Sequence, residues 1–468
     1  MRTRALEGEG ESGAWRLAER RDRWAFLLLA AFCVQIYAAP AEWIPAFVPL
    51  RLALSLSFGA LGLLVLERAG RRIPIHWDGV RGVALVAFLL WAAASHLWTL
   101  DRQVTDGWLV MVLKVAVTWL LVVNLATTPR RLAILCLCLV AGSMVTSVGG
   151  ILRYVSGDDL SQGFRTLWLG VYGDPNYLAE YLALTVPLAV AFIARRGSGF
   201  WVRLLCIVSL LLAVTCIVLT FSRGGFLGLV AGGLVWAIRE RAQRTKALVL
   251  SAALAVGVAI FAPATFWERT DTLEEFERDQ SALGRVYAWH VASSVNLDHP
   301  LRGVGGGAFR EAWSYYAPPE VREHPLVAHN IFLDTLGELG WVGFFLFLTF
   351  AGSATGAVFR AGSDPEIGWL ARGIGASLAA FLLSNCFSGS LADAHLFVLI
   401  GLAGAAERVA SREDVFEAGA DRPVMARMSD SCGPVTSGPL PVDHPVSVAR
   451  RVTPSIRRLA PTIRFDPL

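Results

Sequence analysis

Charged residues are scarce in this chain of 468 residues: Asp, Glu, Lys and Arg make up 17% of it, whereas hydrophobic residues make up 55%. The mean hydropathy is +0.53. A soluble protein of this composition would lack the polar side chains needed to cover so apolar a core. The composition therefore indicates a protein whose solvent is a bilayer.

Cysteines with the spacing of a disulfide framework or a metal site are also missing. Of seven cysteines, only Cys432 lies in a polar segment, and the other six lie in or beside apolar stretches. Cys136 and Cys138 are two positions apart and point to different faces of a helix, so we interpret them as small buried apolar side chains. The net charge of +4 is too small to indicate a class of partner.

Apolar windows, by contrast, recur along the chain, each with roughly 18 to 23 residues, which is long enough to cross ~30 Å of hydrocarbon. Such segments must be helical, because a spanning segment has to satisfy its own backbone hydrogen bonds. We therefore predict an all-α integral membrane protein with about 12 transmembrane helices. The predicted spans begin near Trp24, Phe47, Val80, Gly107, Leu132, Tyr177, Trp201, Gly225, Ala247, Asn330, Gly368 and Leu391.

Arginine and lysine cluster in every second connection between these spans, for example in residues 68–81, 195–203 and 360–372. Connections rich in basic residues face the cytoplasm, so the alternate connections should face the far side, a periplasm or the cell exterior. Both termini are then cytoplasmic. The first span follows an arginine-rich start without a convincing cleavage site, and we expect it to be retained.

These assignments divide the chain into five parts. We expect a large, partly helical periplasmic loop, with a helix from Ser281 to Asn296, and a disordered tail rich in Pro, Ser, Asp and Arg. The predicted parts are a cytoplasmic N-terminal segment (1–23), transmembrane helices 1–9 (24–263), the periplasmic loop (264–328), transmembrane helices 10–12 (329–407) and the cytoplasmic tail (408–468).

Two arginines on the predicted periplasmic side could bind an anion. Arg223 stands in a very short connection beside Gly224 and Gly225, where it could grip a phosphate bidentately or only extend to lipid headgroups. Arg285 lies one helical turn before Trp289, so it is either a second anion contact or a partner that stacks on that ring.

His329 stands at the periplasmic mouth of the helix that begins near Asn330. An imidazole there could accept a proton from a hydroxyl, although a hydrogen-bonded interfacial histidine is the alternative. Asn330, Asp334 and Glu338 form a stripe along this helix. Carboxylates are costly within a membrane, so these two could pair with Arg223 or another cation.

Glycines and turn residues mark two further loops. Residues 298–307 include Gly303 and Gly305, which permit a loop that presents its amides or avoids a clash. This run follows a helix and not a strand, so it does not predict a nucleotide site. Upstream, the segment from Gly173 to Asn176 is typical of a turn that caps a helix, with Arg165 shortly before it.

Taken in order, these motifs resemble the bacterial O-antigen ligase and O-antigen polymerase superfamily. The resemblance extends over roughly residues 20–407, and its diagnostic part over about 173–343. The segments that carry it are Gly173-Asp174-Pro175-Asn176, Ser222-Arg223-Gly224-Gly225, Gly284-Arg285 with Trp289, His299-Pro300 through Gly305, and Ala328-His329-Asn330 through Gly343.

The resemblance implies a membrane glycosyltransferase of the bacterial inner membrane that acts on the periplasmic face. It would pass a glycan from undecaprenyl diphosphate to a hydroxyl of lipid A core, a growing glycan or a protein, with inversion and with no metal or other cofactor. It also implies that Arg223 and Arg285 hold the diphosphate and that His329 activates the acceptor. Further substrate-binding residues are expected at Arg165, Asp174, Asn176, Asn330, Gly303 and Gly305.

Among related activities, the ligase is favoured over the polymerase and the protein O-glycosylating transferase. We expect membrane lipids as further partners, and we expect no nucleic acid partner. A proton-coupled transporter is the alternative from another class, because Lys114, Asp334 and Glu338 are ionisable residues within predicted spans. It leaves the long periplasmic loop unexplained, and we find no inverted repeat. A non-catalytic scaffold would not explain why arginines lie on the predicted periplasmic side.

Overall fold

The structure is a computed structural model that describes residues 22–240, 245, 280–389 and 391–412. The regular elements within these ranges are helices. The longer helices are α1 (Arg23–Ala38), α2 (Leu52–Arg71), α3 (Gly79–Ala94), α4 (Arg102–Leu125), α5 (Pro129–Ser156), α6 (Pro175–Ala194), α7 (Phe200–Leu219), α8 (Arg223–Arg239), α9 (Gln280–Asp298), α10 (Phe309–Tyr316), α11 (Ile331–Ala361), α12 (Gly368–Ser384) and α13 (Ala394–Ser411), and short turns lie at Pro40–Trp43, Pro45–Leu50, Ser95–Leu97 and Gly170–Tyr172.

Within the described ranges, eight helices are long and apolar enough to cross a membrane, namely α2 to α7, α11 and α13. Helices α1 and α12 are apolar but shorter. The prediction of an all-helical, multi-pass membrane protein is therefore confirmed. The predicted span near Ala247 lies outside the described residues, so the total of about 12 spans stays a prediction.

Ion pairs join several helices at one end of the bundle. Arg81, at the start of α3, lies 2.6 Å from Glu407 near the end of α13, and Arg360 at the end of α11 bonds to the same carboxylate. Arg372, near the start of α12, lies 2.7 Å from Glu240. These helix ends adjoin connections that the positive-inside rule assigns to the cytoplasm.

Glycines bring α8 unusually close to its neighbours. A Cβ at Gly225 would overlap Ala179 of α6, and one at Gly228 would overlap the Ser384 hydroxyl of α12. Small residues at such positions let helix backbones approach within a membrane, where lipid offers no hydrophobic gain on association. The start of α8 is thereby held against the start of α6 and the end of α12.

Helix α11 is interrupted at Gly340, where φ is 64° and ψ is −170°. The chain that follows α9 fits into the break. The backbone N–H of Trp341 donates to the Pro300 carbonyl at 2.8 Å, and a Cβ at Gly340 would overlap Leu301. Glycine is required because residues with a Cβ rarely adopt this backbone conformation.

Next to the break, Glu338 anchors the loop of residues 298–307, which we call the glycine-rich loop. Its buried carboxylate interacts with the backbone N–H groups of Gly307 and Phe309, the latter at the start of α10. In the other direction, Gly305 donates its N–H to the Glu338 carbonyl at 2.9 Å. Asp334, one turn earlier, interacts with the backbone N–H of Ala328. These carboxylates therefore interact with backbone donors, where the sequence suggested arginine partners.

Helices α9 and α10 form a small apolar cluster of their own, which includes Ala288, Val291, Trp313 and Ala328. Helix α9 corresponds to the helix predicted from Ser281 to Asn296. The predicted loop is thus partly helical from residue 280 onward, while its first part lies outside the described residues. At the far end of the chain α13 continues past the predicted boundary at residue 407, and the tail beyond 412 is also outside them.

Candidate active site

Three of the helices that begin at the bundle end opposite the ion pairs lead out of predicted site segments, and each of these three has a side-chain cap. Asp174 caps α6 by accepting from the Asn176 N–H at 2.6 Å, and Ser222 caps α8 by accepting from the Gly225 N–H at 3.2 Å. Asn330 caps α11 by accepting from the backbone N–H groups of Phe332 and Leu333, at 3.0 and 3.2 Å. Capped N-termini carry partial positive charge, which favours an anion nearby.

Asn176 joins the start of α6 to the start of α8. Its side-chain oxygen accepts from the Ser222 hydroxyl at 3.0 Å and from a guanidinium nitrogen of Arg165 at 2.8 Å. Arg165, which is 4% exposed, also donates to the Thr220 carbonyl at 2.8 Å. Arg165, Asn176 and Ser222 thus fix the backbone that leads into Arg223, the first residue of α8.

The 385–389 turn, which follows α12, contacts the other elements of the predicted site. The Phe387 carbonyl accepts from Nε of Arg285 at 3.1 Å. The Asn385 carbonyl accepts from the N–H of Ile331, two residues after His329, at 3.0 Å. The Phe387 side chain also packs on Gly224, where an added Cβ would lie 3.1 Å away. One turn therefore brings together segments that carry Arg223, Arg285 and His329.

His329 is half-buried and has a positive φ of 49°, a conformation that is uncommon for residues other than glycine. Burial lowers the pKa of its imidazole, and the nearby Arg285 guanidinium lowers that pKa further, whereas Asp174 acts in the opposite direction. The net effect favours the neutral form of the imidazole. A neutral imidazole beside a cation can accept a proton, and it can form a hydrogen bond to a group that lies next to a bound anion.

Trp289 fixes the relation of α9 to this histidine. Its indole N–H donates to the carbonyl of Ala328, the residue before His329, at 3.2 Å. The sequence leaves Trp289 open as a stacking partner for Arg285, and in the structure the Trp289 indole N–H holds the chain that leads into α11. Arg285 and Trp289 lie one turn apart on α9 and bond to two different segments of the bundle.

Gly303 and Gly305, two of the predicted substrate-binding residues, have other contacts. Both are buried with positive φ, and their N–H groups donate to the carbonyls of His299 and Glu338. A Cβ at Gly305 would overlap Thr99 in the turn before α4. In the structure these glycines close the loop against α4 and α11, and their amides serve that packing.

Sequence reasoning missed the acid that holds the 385–389 turn. Glu180 lies on α6, is fully buried and accepts hydrogen bonds from Asn385 and Ser388. A carboxylate in an apolar span was a usable signal, because buried charge within a membrane requires partners. Its partners could not be identified from sequence, since they are more than 200 positions away. Among the described residues, no group of three or more His, Cys, Asp or Glu side chains is arranged to hold a metal ion.

Residues 208–348 match the family model described as O-Antigen ligase. The matched region includes Arg223, Arg285 and His329 together with the glycine-rich loop, and it ends within α11. It does not include Arg165, Asp174 or Asn176, nor the 385–389 turn. A search of the curated proteins gave no significant match.

Proposed function

We propose that this protein is a glycosyltransferase of the inner membrane. The match of residues 208–348 to the O-antigen ligase family model supports this proposal. The protein transfers a glycan from undecaprenyl diphosphate to a hydroxyl acceptor on the periplasmic face. Both termini are cytoplasmic in this proposal, and residues 264–328 are assigned to the periplasmic side.

The observation that carries the proposal is the convergence on the 385–389 turn. Arg285 bonds to this turn, Gly224 packs on it, and the backbone just after His329 bonds to it. These contacts support a shared site for two arginines and one histidine that come from separate stretches of sequence. That combination suits an anionic leaving group and a hydroxyl nucleophile.

The arginines provide the electrostatic part of the mechanism. As the bond between the anomeric carbon and the diphosphate oxygen breaks, the electron pair leaves with the lipid diphosphate. Guanidinium groups of Arg223 and Arg285 can bind phosphate oxygens bidentately and stabilise this developing charge. The N-terminus of α8 adds partial positive charge at the same place. Fixed cationic groups of this kind need little reorganisation during the reaction.

His329 provides the base. The acceptor hydroxyl attacks the anomeric carbon from the face opposite the diphosphate, and the imidazole removes the hydroxyl proton as the new bond forms. The pKa of His329 is lowered by burial and by Arg285, so the neutral form needed for this step predominates at neutral pH. One displacement of this kind inverts the configuration at the anomeric carbon.

The acceptor we propose first is lipid A core, with a growing glycan or a protein hydroxyl as the alternatives. The substrate contacts proposed besides the three site residues are Asp174, Asn176 and Asn330 at the helix starts, together with Arg165, Gly303 and Gly305. The side-chain oxygens of Asp174 and Asn330 already accept from backbone N–H groups, and that of Asn176 accepts from the Ser222 hydroxyl and from Arg165. We therefore assign them to shaping the site, with any substrate contact made through remaining polar atoms.

The transporter alternative depended on ionisable groups within the membrane. Asp334 and Glu338 interact with backbone N–H groups of Ala328, Gly307 and Phe309. These interactions give both carboxylates a structural role at the junction of α11 with the chain that precedes it. The transferase proposal accounts in addition for the arginines and the histidine.

The test uses purified protein in nanodiscs with an undecaprenyl diphosphate-linked glycan and a panel of lipid A core, glycan and peptide acceptors. Wild type is compared with Arg223→Ala, Arg285→Ala and His329→Ala, and the readouts are released lipid diphosphate and product mass. We expect transfer to one acceptor class, reduced about 100-fold or more in each variant. Wild-type rates in all three folded variants would overturn the site, and no transfer to any acceptor would overturn the activity.

A further inference from the structure

Glu180 has a costly position that the proposed chemistry does not explain. It lies in the first half of the membrane-spanning helix α6 and has no exposed surface. Its two carboxylate oxygens accept from the Asn385 amide and from the Ser388 hydroxyl. A buried carboxylate in a membrane helix is retained where its bonds serve a function.

Both partners of Glu180 belong to the 385–389 turn. The backbone carbonyls of this turn accept hydrogen bonds from other segments. Asn385 accepts from the Ile331 N–H at the start of α11, and Phe387 accepts from Nε of Arg285. The turn is thus held from one side by the Glu180 side chain. From the other side it contacts the proposed catalytic elements.

The residue next to Glu180 holds the later part of the same connection. The Tyr181 hydroxyl donates to the carboxylate of Asp393, which caps α13 by accepting from the His395 N–H at 2.6 Å. His395 stacks on Tyr181 with 4.1 Å between ring centroids. Two consecutive residues of α6 therefore hold both described sides of the connection between α12 and α13.

We propose that Glu180 is a positioning residue for the transferase site: by anchoring the 385–389 turn it sets where the guanidinium of Arg285 lies relative to His329. The inference rests on the proposed function for its consequence, while the anchoring itself is a property of the fold. Glu180 acts through the turn and touches neither donor nor acceptor.

A small displacement of Arg285 has a large effect on such a site. Misplacement of a charged group by about 1 Å can reduce the rate of an enzyme by roughly 100-fold, because stabilisation of the transition state depends on alignment. The anchor depends on hydrogen-bond acceptors more than on charge, since its partners are an amide and a hydroxyl. Glu180→Gln keeps an oxygen acceptor and the shape of the side chain, whereas Glu180→Ala removes both acceptors.

The first experiment measures the turn without reference to activity. Cys386 is half-buried within it, so its alkylation rate, followed by peptide mass spectrometry, reports how tightly the turn is held. We expect Glu180→Ala and Ser388→Ala to raise this rate about 5-fold or more. Thr185→Val is the matched control, because Thr185 is buried on the same helix and its hydroxyl donates to the Leu182 carbonyl of that helix. Unchanged alkylation of Cys386 in both turn variants would overturn the anchor.

The second experiment measures glycan transfer by the same proteins. We expect Glu180→Ala to lower kcat about 10-fold or more and Glu180→Gln to retain most of it. Ser388→Ala, which removes a single hydroxyl, should fold normally and lie between them. If Glu180→Gln is as slow as Glu180→Ala, or if Glu180→Ala is as fast as wild type, the positioning role is wrong. If wild type itself transfers nothing, the proposed function fails, and the alkylation of Cys386 still decides whether Glu180 holds the turn.

Discussion

At the scale of single residues, the environment of His329 sets its protonation. Burial and Arg285 both lower the pKa of the imidazole, and Asp174 opposes them. A base must be unprotonated to act, so the proposed reaction slows as pH falls through the pKa of His329. That pKa lies below the ordinary histidine value of 6.5, so we expect the proposed reaction to continue in mildly acidic conditions.

Substitution of Arg285 should therefore change the pH dependence as well as the rate. In Arg285→Gln the imidazole loses a neighbouring positive charge, so its pKa rises and the acidic limb of the normalised transfer profile moves to higher pH. Asp174→Asn should move that limb to lower pH. The measurement is kcat against pH from about 4.5 to 8.5.

Arg310→Gln is the control for this prediction, since Arg310 lies exposed on α10 and should leave the profile unchanged. An acidic limb that keeps its position in Arg285→Gln, or that moves to lower pH, would contradict the assignment of His329 as the base.

The sequence indicated Arg223, Arg285 and His329 through their positions on the predicted periplasmic side and through the family resemblance. Their proximity to one another could not be derived, since it depends on the 385–389 turn. Glu180 offered only the signal of an acid within an apolar span. Identifying its partners requires the fold, because no local pattern relates α6 to that turn.

At the scale of elements, the break in α11 shows where periodicity misleads. The apolar pattern predicts a continuous helix from Asn330, and the chain does continue to Ala361. The interruption at Gly340 arises from contact with Leu301, a residue of a different segment. Such a break has no signature in the helix itself beyond a glycine, and glycines are common in membrane helices.

Gly340→Ala should destabilise the protein strongly. The strained backbone at φ 64° costs roughly 1–3 kcal/mol for a residue with a Cβ, and the overlap with Leu301 adds to this. Gly352→Ala is the matched control, because Gly352 lies in the same helix with no atom near its added Cβ. Thermal unfolding in detergent measures both. Equal melting temperatures for the two variants would show that the break does not need glycine.

Glu338 should matter for stability through the loop that it anchors. Glu338→Ala leaves the N–H groups of Gly307 and Phe309 without their buried acceptor, at a cost of about 1–3 kcal/mol for each. Glu338→Gln retains one oxygen acceptor and should lose less. Thermal unfolding distinguishes these variants, and a Glu338→Ala protein as stable as wild type would argue against the anchoring role.

At the scale of the whole molecule, alternation of basic connections correctly grouped the helix ends. Arg81, Arg360 and Glu407 meet at one end of the bundle, as expected for connections on a single side. Asn176 and Ser222 meet at the other end. We predict that the end with Asn176 and Ser222 faces the periplasm, because its connections are poor in basic residues.

Reporter fusions test the orientation. Alkaline phosphatase, which folds in the periplasm, should be active when fused after residue 160 and inactive after residue 197, where Arg195 and Arg196 precede it. A fluorescent protein that folds only in the cytoplasm should give the reverse pattern. Activity in the opposite order would invert the topology and place the site in the cytoplasm.

The central claim is that Arg285 and His329 act within one site on one transferred glycan. Single-turnover transfer in nanodiscs tests it, with wild type, Arg285→Ala, His329→Ala and the double variant at saturating donor. Residues that act as a unit lose activity non-additively, so the double variant should be about as slow as the slower single variant. A double variant whose loss is the product of the two single losses would contradict a shared site, as would wild-type rates in either single variant.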